Sequence, residues 1–124
     1  MIRLVVADDH AVVRAGVRAV LASEPDIALV AEAGDGEHAV TAVMEHRPEV
    51  LLLDWTLPGD GRAVLGQVRV RAPGTRVCIL SMHQDGATVG EALGAGALGY
   101  VVKGAGIEHL VGALRAVAAG RRFL

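Results

Sequence analysis

The stretch LVVADDH, residues 4–10, places four apolar residues directly before two carboxylates and an imidazole. The same arrangement recurs as VLLLD at residues 50–54, VCILS at residues 77–81 and GYVVK at residues 99–103. Each apolar run is short and nearly continuous, which is typical of a parallel strand covered on both faces. A polar group therefore follows each predicted strand at its carboxyl end, where open α/β sheets bind their ligands.

Apolar strands alternate with amphipathic helices along the whole chain. The predicted strands cover residues 2–7, 27–32, 49–54, 76–81 and 98–102. The predicted helices lie near residues 11–22, 36–46, 62–71, 86–95 and 107–119. Five strand–helix units in 124 residues predict an α/β fold with a doubly wound, mostly parallel sheet. We expect one domain over residues 1–124.

The composition narrows the class of protein. Apolar residues make up 52% of the chain, which predicts a folded core. The net charge of −2 does not favour nucleic-acid binding by this segment. The single cysteine, Cys78, excludes an intrachain disulfide and a cysteine metal cluster. No apolar run approaches the roughly 20 residues of a membrane span, and the first is too short for a signal peptide, so we expect a cytoplasmic protein.

Two glycines distinguish the fourth predicted helix. Gly90 and Gly94 lie inside it, and a glycine in a helix interior costs about 0.5–1 kcal/mol relative to alanine. We predict that this helix is the least stable of the five. Close packing of its backbone against another element is the alternative explanation for the two glycines.

The adjacent carboxylates of Asp8 and Asp9 suggest a cation site. Their mutual repulsion falls if a cation lies between or near them, and an oxygen-rich site with few protein ligands suits Mg²⁺. The alternative is that one aspartate caps the first helix while the other is solvated. His10 is a poor ligand beside hard carboxylates, and we expect it to start the first helix.

The other strand ends carry groups that suit phosphoryl chemistry. Asp54 can ligate a metal or accept a phosphoryl group as an acyl phosphate. Lys103, the single lysine of the chain, can neutralise phosphoryl oxygens, and the Ser81 hydroxyl can donate to another oxygen. Separately, a serine in a turn and a lysine reaching toward solvent would need no site to explain them. Their joint placement at strand ends indicates a metal-dependent phosphoryl site.

The order and spacing of Asp8-Asp9, Asp54, Ser81 and Lys103 resemble the receiver domains of two-component response regulators. The resemblance covers essentially the whole chain. It implies a flavodoxin-like (βα)5 sheet with strand order 2-1-3-4-5. Shorter motifs resemble the subfamily that usually carries a LuxR-type helix-turn-helix output domain after the receiver. These motifs are residues 7–10, 80–83 and 91–100, together with residues 118–124, which resemble the start of the linker.

The resemblance implies a phosphoacceptor and a Mg²⁺ site. Asp54 would accept a phosphoryl group from a sensor histidine kinase. Asp9 and Asp54 would bind Mg²⁺ directly, Asp8 would act through water, and the backbone carbonyl of Thr56 would supply a further ligand.

The resemblance also implies a switch. Lys103 would bind a phosphoryl oxygen, and Ser81 would move toward the phosphoryl group together with the loop after the fourth strand. Tyr100 would then turn inward, which would change the surface of helix four, strand five and helix five. A homodimer on activation, regulation of transcription, and DNA binding only through an output domain outside this chain are further implications.

One loop departs from the family pattern. The family commonly has Met-Pro-Gly-x-Asp-Gly after the acceptor, whereas this chain has Leu57 for the methionine and one residue fewer between Pro58 and Gly61. Met82 is also bulkier than the residue that many receivers have beside the phosphoryl site. The short loop leaves open a degenerate receiver, an interaction module that is never phosphorylated.

Two other classes of protein fit the sequence less well. Aspartyl phosphatases of the haloacid dehalogenase type need a second acid two residues after the nucleophile, and Thr56 occupies that position, so we do not expect an enzyme acting on external substrates. A flavodoxin needs a neutral, glycine- and hydroxyl-rich phosphate loop after the first strand. Asp8 and Asp9 would repel a phosphate there.

Overall fold

A computed structural model describes residues 1–104 and 107–124. The strands are β1 (Ile2–Ala7), β2 (Ile27–Ala33), β3 (Val50–Asp54), β4 (Arg76–Ser81) and β5 (Gly99–Val102). The helices are α1 (Ala11–Leu21), α2 (Gly36–His46), α3 (Gly61–Arg71), α4 (Gly86–Gly94) and α5 (Leu110–Ala118). The predicted elements are confirmed to within one residue at each bound, except that a 3-10 turn, Ile107–His109, precedes α5.

The five strands form one parallel sheet in the order β2-β1-β3-β4-β5, as the resemblance implied. The sheet separates two apolar layers. Successive strand residues alternate between them: Leu51 and Leu53 pack with α2, α3 and α4, whereas Leu52 packs with α1 and α5. Both faces are therefore covered, which explains why the strands are apolar at nearly every position.

Strand register brings the polar strand ends together. Ala7 of β1 pairs with Leu53 of β3, so Asp8 and Asp54 follow side by side. Ser81 of β4 pairs with Val102 of β5, directly before Lys103. Because the strands are parallel, the side chains of Asp8, Asp54, Ser81 and Lys103 lie at the same end of the sheet, where the strands reach their carboxyl ends.

Helix α4 has little apolar anchorage. Ala92 is its one buried residue among those the structure describes. Across the described parts of the chain, no atom would lie within 4 Å of a Cβ added at Gly90 or Gly94. The alternative that close packing requires these glycines is therefore wrong. Two polar contacts join the helix to α3: Arg62 lies 3.7 Å from Glu91, and Arg69 donates to the carbonyl of Ala95 at 2.9 Å.

The segment after α5 adds to the sheet at the β5 edge. The N–H of Phe123 donates to the carbonyl of Leu98 at 3.0 Å, and the N–H of Tyr100 donates to the carbonyl of Phe123 at 2.9 Å. Phe123 thereby forms a parallel bridge with Gly99 and packs on the α1–α5 layer. None of the described helices is both long and apolar enough to cross a membrane.

Candidate functional site

Three acidic side chains and one ammonium converge at the carboxyl end of the sheet. Asp8 and Asp54 are buried, whereas Asp9 is partly exposed. The Nζ atom of Lys103 lies 2.7 Å from Asp8 Oδ2 and 3.4 Å from Asp54 Oδ2. The positions of these four side chains agree with the sequence analysis, which expected them to share a site.

The two buried carboxylates differ in how their oxygens are paired. Asp54 Oδ1 accepts hydrogen bonds from the N–H and the hydroxyl of Thr56, both at 3.1 Å. Asp8 Oδ1 accepts from the N–H of His10 at 2.8 Å. Asp8 Oδ2 pairs with the Lys103 ammonium at 2.7 Å, whereas Asp54 Oδ2 is buried without a hydrogen-bond donor among the described residues and lies 3.4 Å from that ammonium. A buried carboxylate oxygen left in this way favours an additional cation.

The site is suited to a hard divalent cation. Ligand atoms of Asp8, Asp9, His10 and Asp54 all lie within 4.8 Å of one another. Three of these four residues offer carboxylate oxygens, the ligands that Mg²⁺ prefers. The residues present therefore fit Mg²⁺.

Asp8 is ionised at neutral pH. Its burial opposes the charge, but hydrogen bonds from Lys103 and His10, and the charge of Lys103, outweigh that cost and lower the pKa of Asp8 below its usual 3.8. The Asp8 carboxylate is thus already in the charged state that binds a cation.

His10 starts α1, as expected, because it is the residue directly before the helix and has an extended backbone. Its ring has a further contact that the sequence analysis missed: Nδ1 lies 2.9 Å from Asp8 Oδ1 and 3.2 Å from Asp9 Oδ1. The ring is 59% exposed, so it lies at the solvent side of the acid pair. The spacing Asp-Asp-His carried this signal, since the turn after β1 brings residues two apart into contact.

Ser81 and Tyr100 are joined through the loop between β4 and α4. Ser81 Oγ accepts from the N–H of His83 at 3.1 Å, and the Tyr100 hydroxyl donates to the carbonyl of His83 at 2.8 Å. Tyr100 is buried in the α2–α4 layer, so its ring already faces inward in this structure. Burial raises the pKa of the Tyr100 phenol, which keeps its hydroxyl a donor.

The shortened loop after Asp54 makes a tight turn against α2. Its backbone has positive φ at two successive residues, Gly59 at 96° and Asp60 at 68°. The carbonyl of Pro58 accepts the N–H of Gly36 at 2.8 Å, and Asp60 Oδ1 accepts the N–H of Arg62 at the start of α3. The loop is thus held to α2 through Pro58 and to the start of α3 through Asp60, both after Thr56.

The comparisons with known proteins decide the family. The family described as the response regulator receiver domain matches residues 4–115. The chain belongs to this family. Of curated relatives, the oxygen regulatory protein NreC of Staphylococcus epidermidis is 38% identical over 98% of this receiver and 57% of its own length. The transcriptional regulatory protein DegU of Brevibacillus brevis is 36% identical over 99% of the receiver and 52% of its own length. The receiver thus spans just over half the length of these relatives.

Solved structures agree in fold. A LuxR-family response regulator from an Aurantimonas species matches all of the receiver and 89% of that chain, with a TM-score of 0.93 and 38% identity. The receiver domain of the response regulator described as putative NarL from Mycobacterium tuberculosis has a TM-score of 0.91 and 39% identity over 97% of this chain and 98% of its own. The flavodoxin-like fold and the resemblance to receivers of LuxR-type regulators are confirmed.

Proposed function

We propose that this receiver accepts a phosphoryl group on Asp54 from a sensor histidine kinase. The observation that supports this most is the state of Asp54 Oδ2: it is buried, lacks a hydrogen-bond donor among the described residues, and lies 3.4 Å from the Lys103 ammonium. A carboxylate oxygen beside a cation can act as a nucleophile. Asp54 Oδ1 is less available because it accepts two hydrogen bonds from Thr56.

In the proposed reaction, Asp54 Oδ2 forms a bond to phosphorus as the bond from phosphorus to the donor's imidazole nitrogen breaks. The electron pair of that bond stays with the imidazole, and the product is an acyl phosphate. Lys103 neutralises one phosphoryl oxygen, for which its ammonium turns from Asp8 toward Asp54. Asp9 and Asp54 would hold Mg²⁺ directly, with Asp8 acting through water and the Thr56 carbonyl as a further ligand. Mg²⁺ supplies charge neutralisation on the transferring oxygens.

The consequence of phosphorylation is a change of surface. Ser81 would move to the phosphoryl group and give up its contact with the His83 N–H. His83 also holds the Tyr100 hydroxyl, so the loop before α4 and the β5 edge would respond together. The weak apolar anchorage of α4 supports this part of the proposal. The altered α4–β5–α5 surface would regulate an output, transcription in the subfamily, from a cytoplasmic location, and activation would be accompanied by formation of a homodimer. DNA would be bound by an output domain outside this chain.

The test is the intact mass of the protein after incubation with acetyl phosphate and Mg²⁺. We expect one phosphoryl group on the protein, and none on the Asp54→Asn variant or when EDTA removes the metal. Addition to the Asp54→Asn variant at the same rate would disprove the assignment of Asp54.

A second candidate function is an interaction module that is not phosphorylated. The observation that favours it is the short loop, with a non-glycine residue, Asp60, held at positive φ. No mass increase at any Mg²⁺ concentration would favour this candidate over the first.

A further inference from the structure

Arg14 contacts the acidic site through the backbone of Asp8. It lies in the first turn of α1, and its Nη1 donates to the backbone carbonyl of Asp8 at 2.6 Å. Its Nε lies 3.3 Å from Glu32 Oε1, on β2. The side chain is 24% exposed, so its guanidinium is largely shielded from water. Arg14 therefore links α1, the turn after β1 and the neighbouring strand.

The orientation of the Asp8 carbonyl also affects the next residue, Asp9. It belongs to the rigid peptide plane that Asp8 shares with the N–H of Asp9. The other groups of Asp8 are also fixed: its N–H donates to the carbonyl of Ala33 at 2.9 Å, and its carboxylate contacts the N–H of His10 and the ammonium of Lys103. The bond from Arg14 sets the tilt of the plane that leads into Asp9. Together with those contacts, it therefore orients the two adjacent carboxylates.

We infer that Arg14 is a positioning residue for the acidic pair, holding the Asp8–Asp9 peptide so that both carboxylates are preset for Mg²⁺. This inference rests on the proposed function. A positioning role and a purely electrostatic role of Arg14 predict opposite effects on Mg²⁺ affinity when Arg14 is removed. Removal of a nearby positive charge would by itself strengthen cation binding, whereas loss of the bond to the carbonyl would weaken it, because the carboxylates would then have to be ordered when the metal binds.

Arg18 is a matched control. It lies one turn further along α1 and also pairs with Glu32, at 2.6 Å to Oε1 and 2.7 Å to Oε2. Its contacts within the described residues do not include Asp8. Substitution of Arg18 thus removes the same charge and a contact to the same partner, but leaves the bond to the Asp8 carbonyl intact.

The experiment is a Mg²⁺ titration of the folded protein, followed by NMR amide shifts of Asp9 and its neighbours. Arg14→Ala is expected to weaken Mg²⁺ affinity about tenfold, the low end of what loss of a group supporting a metal ligand costs. Arg14→Lys should recover part of this loss, because an ammonium can also donate to the carbonyl. Arg18→Ala should bind Mg²⁺ as the unchanged protein does. Arg14→Met, which keeps the apolar stem, replaces the alanine variant if that one does not fold.

The outcomes separate this inference from the function on which it rests. Equal affinities in the Arg14 and Arg18 variants, or tighter binding in Arg14→Ala, would overturn the positioning role alone. A flat titration of the unchanged protein would overturn the proposed function as well. Arg14→Lys as weak as Arg14→Ala would also count against positioning through the carbonyl bond.

Discussion

The Lys103 ammonium lies closer to Asp8 Oδ2, at 2.7 Å, than to Asp54 Oδ2, at 3.4 Å. Asp54 is the proposed phosphoacceptor. The lysine side chain is only 8% exposed, and both carboxylates are buried. One cation therefore compensates two buried acids, which makes the structure depend on it before any phosphoryl group is present.

Replacement of Lys103 by methionine tests that dependence. The variant keeps the bulk of the side chain but leaves Asp8 and Asp54 without a counter-charge. Removal of one partner of a buried ion pair costs about 3 kcal/mol or more, so we expect the free energy of unfolding to fall by about that amount at neutral pH without metal. Urea unfolding measures it. Added Mg²⁺ should stabilise the variant more than the unchanged protein, because the ion then supplies the missing charge.

Arg122→Met is the control for that experiment, since Arg122 is exposed near the end of the chain. It should leave the urea midpoint nearly unchanged. A Lys103→Met variant as stable as this control would show that the two carboxylates are relieved in some other way, for instance by protonation of one of them.

The pair of Asp35 and His38 at the start of α2 predicts a pH dependence. The hydrogen bond and charge of Asp35 raise the pKa of His38 above 6.5, and the bond from the His38 N–H lowers the pKa of Asp35 below 3.8. A raised histidine pKa adds stability that is complete below pH 6.5 and is lost as pH rises through the folded value. A lowered aspartate pKa adds stability above pH 3.8, lost as pH falls through the folded value.

We therefore expect the pair to stabilise the fold most between pH 3.8 and 6.5. NMR titration of the His38 ring should give a pKa above 6.5, and Asp35→Asn, which can still cap the helix, should bring it down. Urea unfolding of His38→Gln should differ from that of the unchanged protein in mildly acid solution and converge with it in alkaline solution. A difference that grows with pH would have the wrong sign.

Two glycines of α3 should respond oppositely to alanine. A Cβ at Gly61 would lie 2.4 Å from the backbone oxygen of Trp55, and backbone cannot move aside cheaply. Gly61→Ala should therefore distort the short loop and lower the unfolding midpoint markedly. In the described parts of the chain, nothing lies within 4 Å of a Cβ at Gly66, so Gly66→Ala should stabilise the helix by about 0.5–1 kcal/mol. Equal midpoints for the two variants would contradict the close approach at Trp55.

Hydrogen exchange tests the weakness of α4. We expect its amides to exchange faster than those of α5, whose Leu110, Leu114 and Val117 are fully buried. Gly90→Ala should slow exchange throughout α4, because alanine is the better helix former by about 0.5–1 kcal/mol and has space there. Gly112→Ala in α5 is the matched helical control. Exchange in α4 as slow as in α5 would refute the prediction.

Periodicity and strand-end residues were sufficient to predict the layers of the fold. Apolar runs that end in Asp8, Asp54, Ser81 and Lys103 allow few other arrangements, because parallel strands bring their carboxyl ends to one edge. The strand order came from the resemblance, since periodicity does not determine which strands are neighbours.

Some contacts could not be predicted from the sequence. They depend on how the folded elements lie against one another, and not on the spacing of residues along the chain. The reach of Arg14 to the Asp8 carbonyl depends on how α1 lies across β2. The positive φ of Asp60 is a property of the closed turn before α3. Bridge formation by Phe123 depends on how α5 ends beside β5, which no local pattern encodes.

The pairing of Phe123 with Gly99 determines the direction in which any polypeptide joined after Leu124 would leave the receiver. The Phe123 peptide groups are hydrogen-bonded on either side of Gly99, one of them to Tyr100. A polypeptide joined after Leu124 would leave the receiver from the sheet itself, and not from the frayed end of a helix. A displacement of the Tyr100 backbone would be transmitted to it through one peptide hydrogen bond, so the first residues of such a connection would act as a stiff extension of β5.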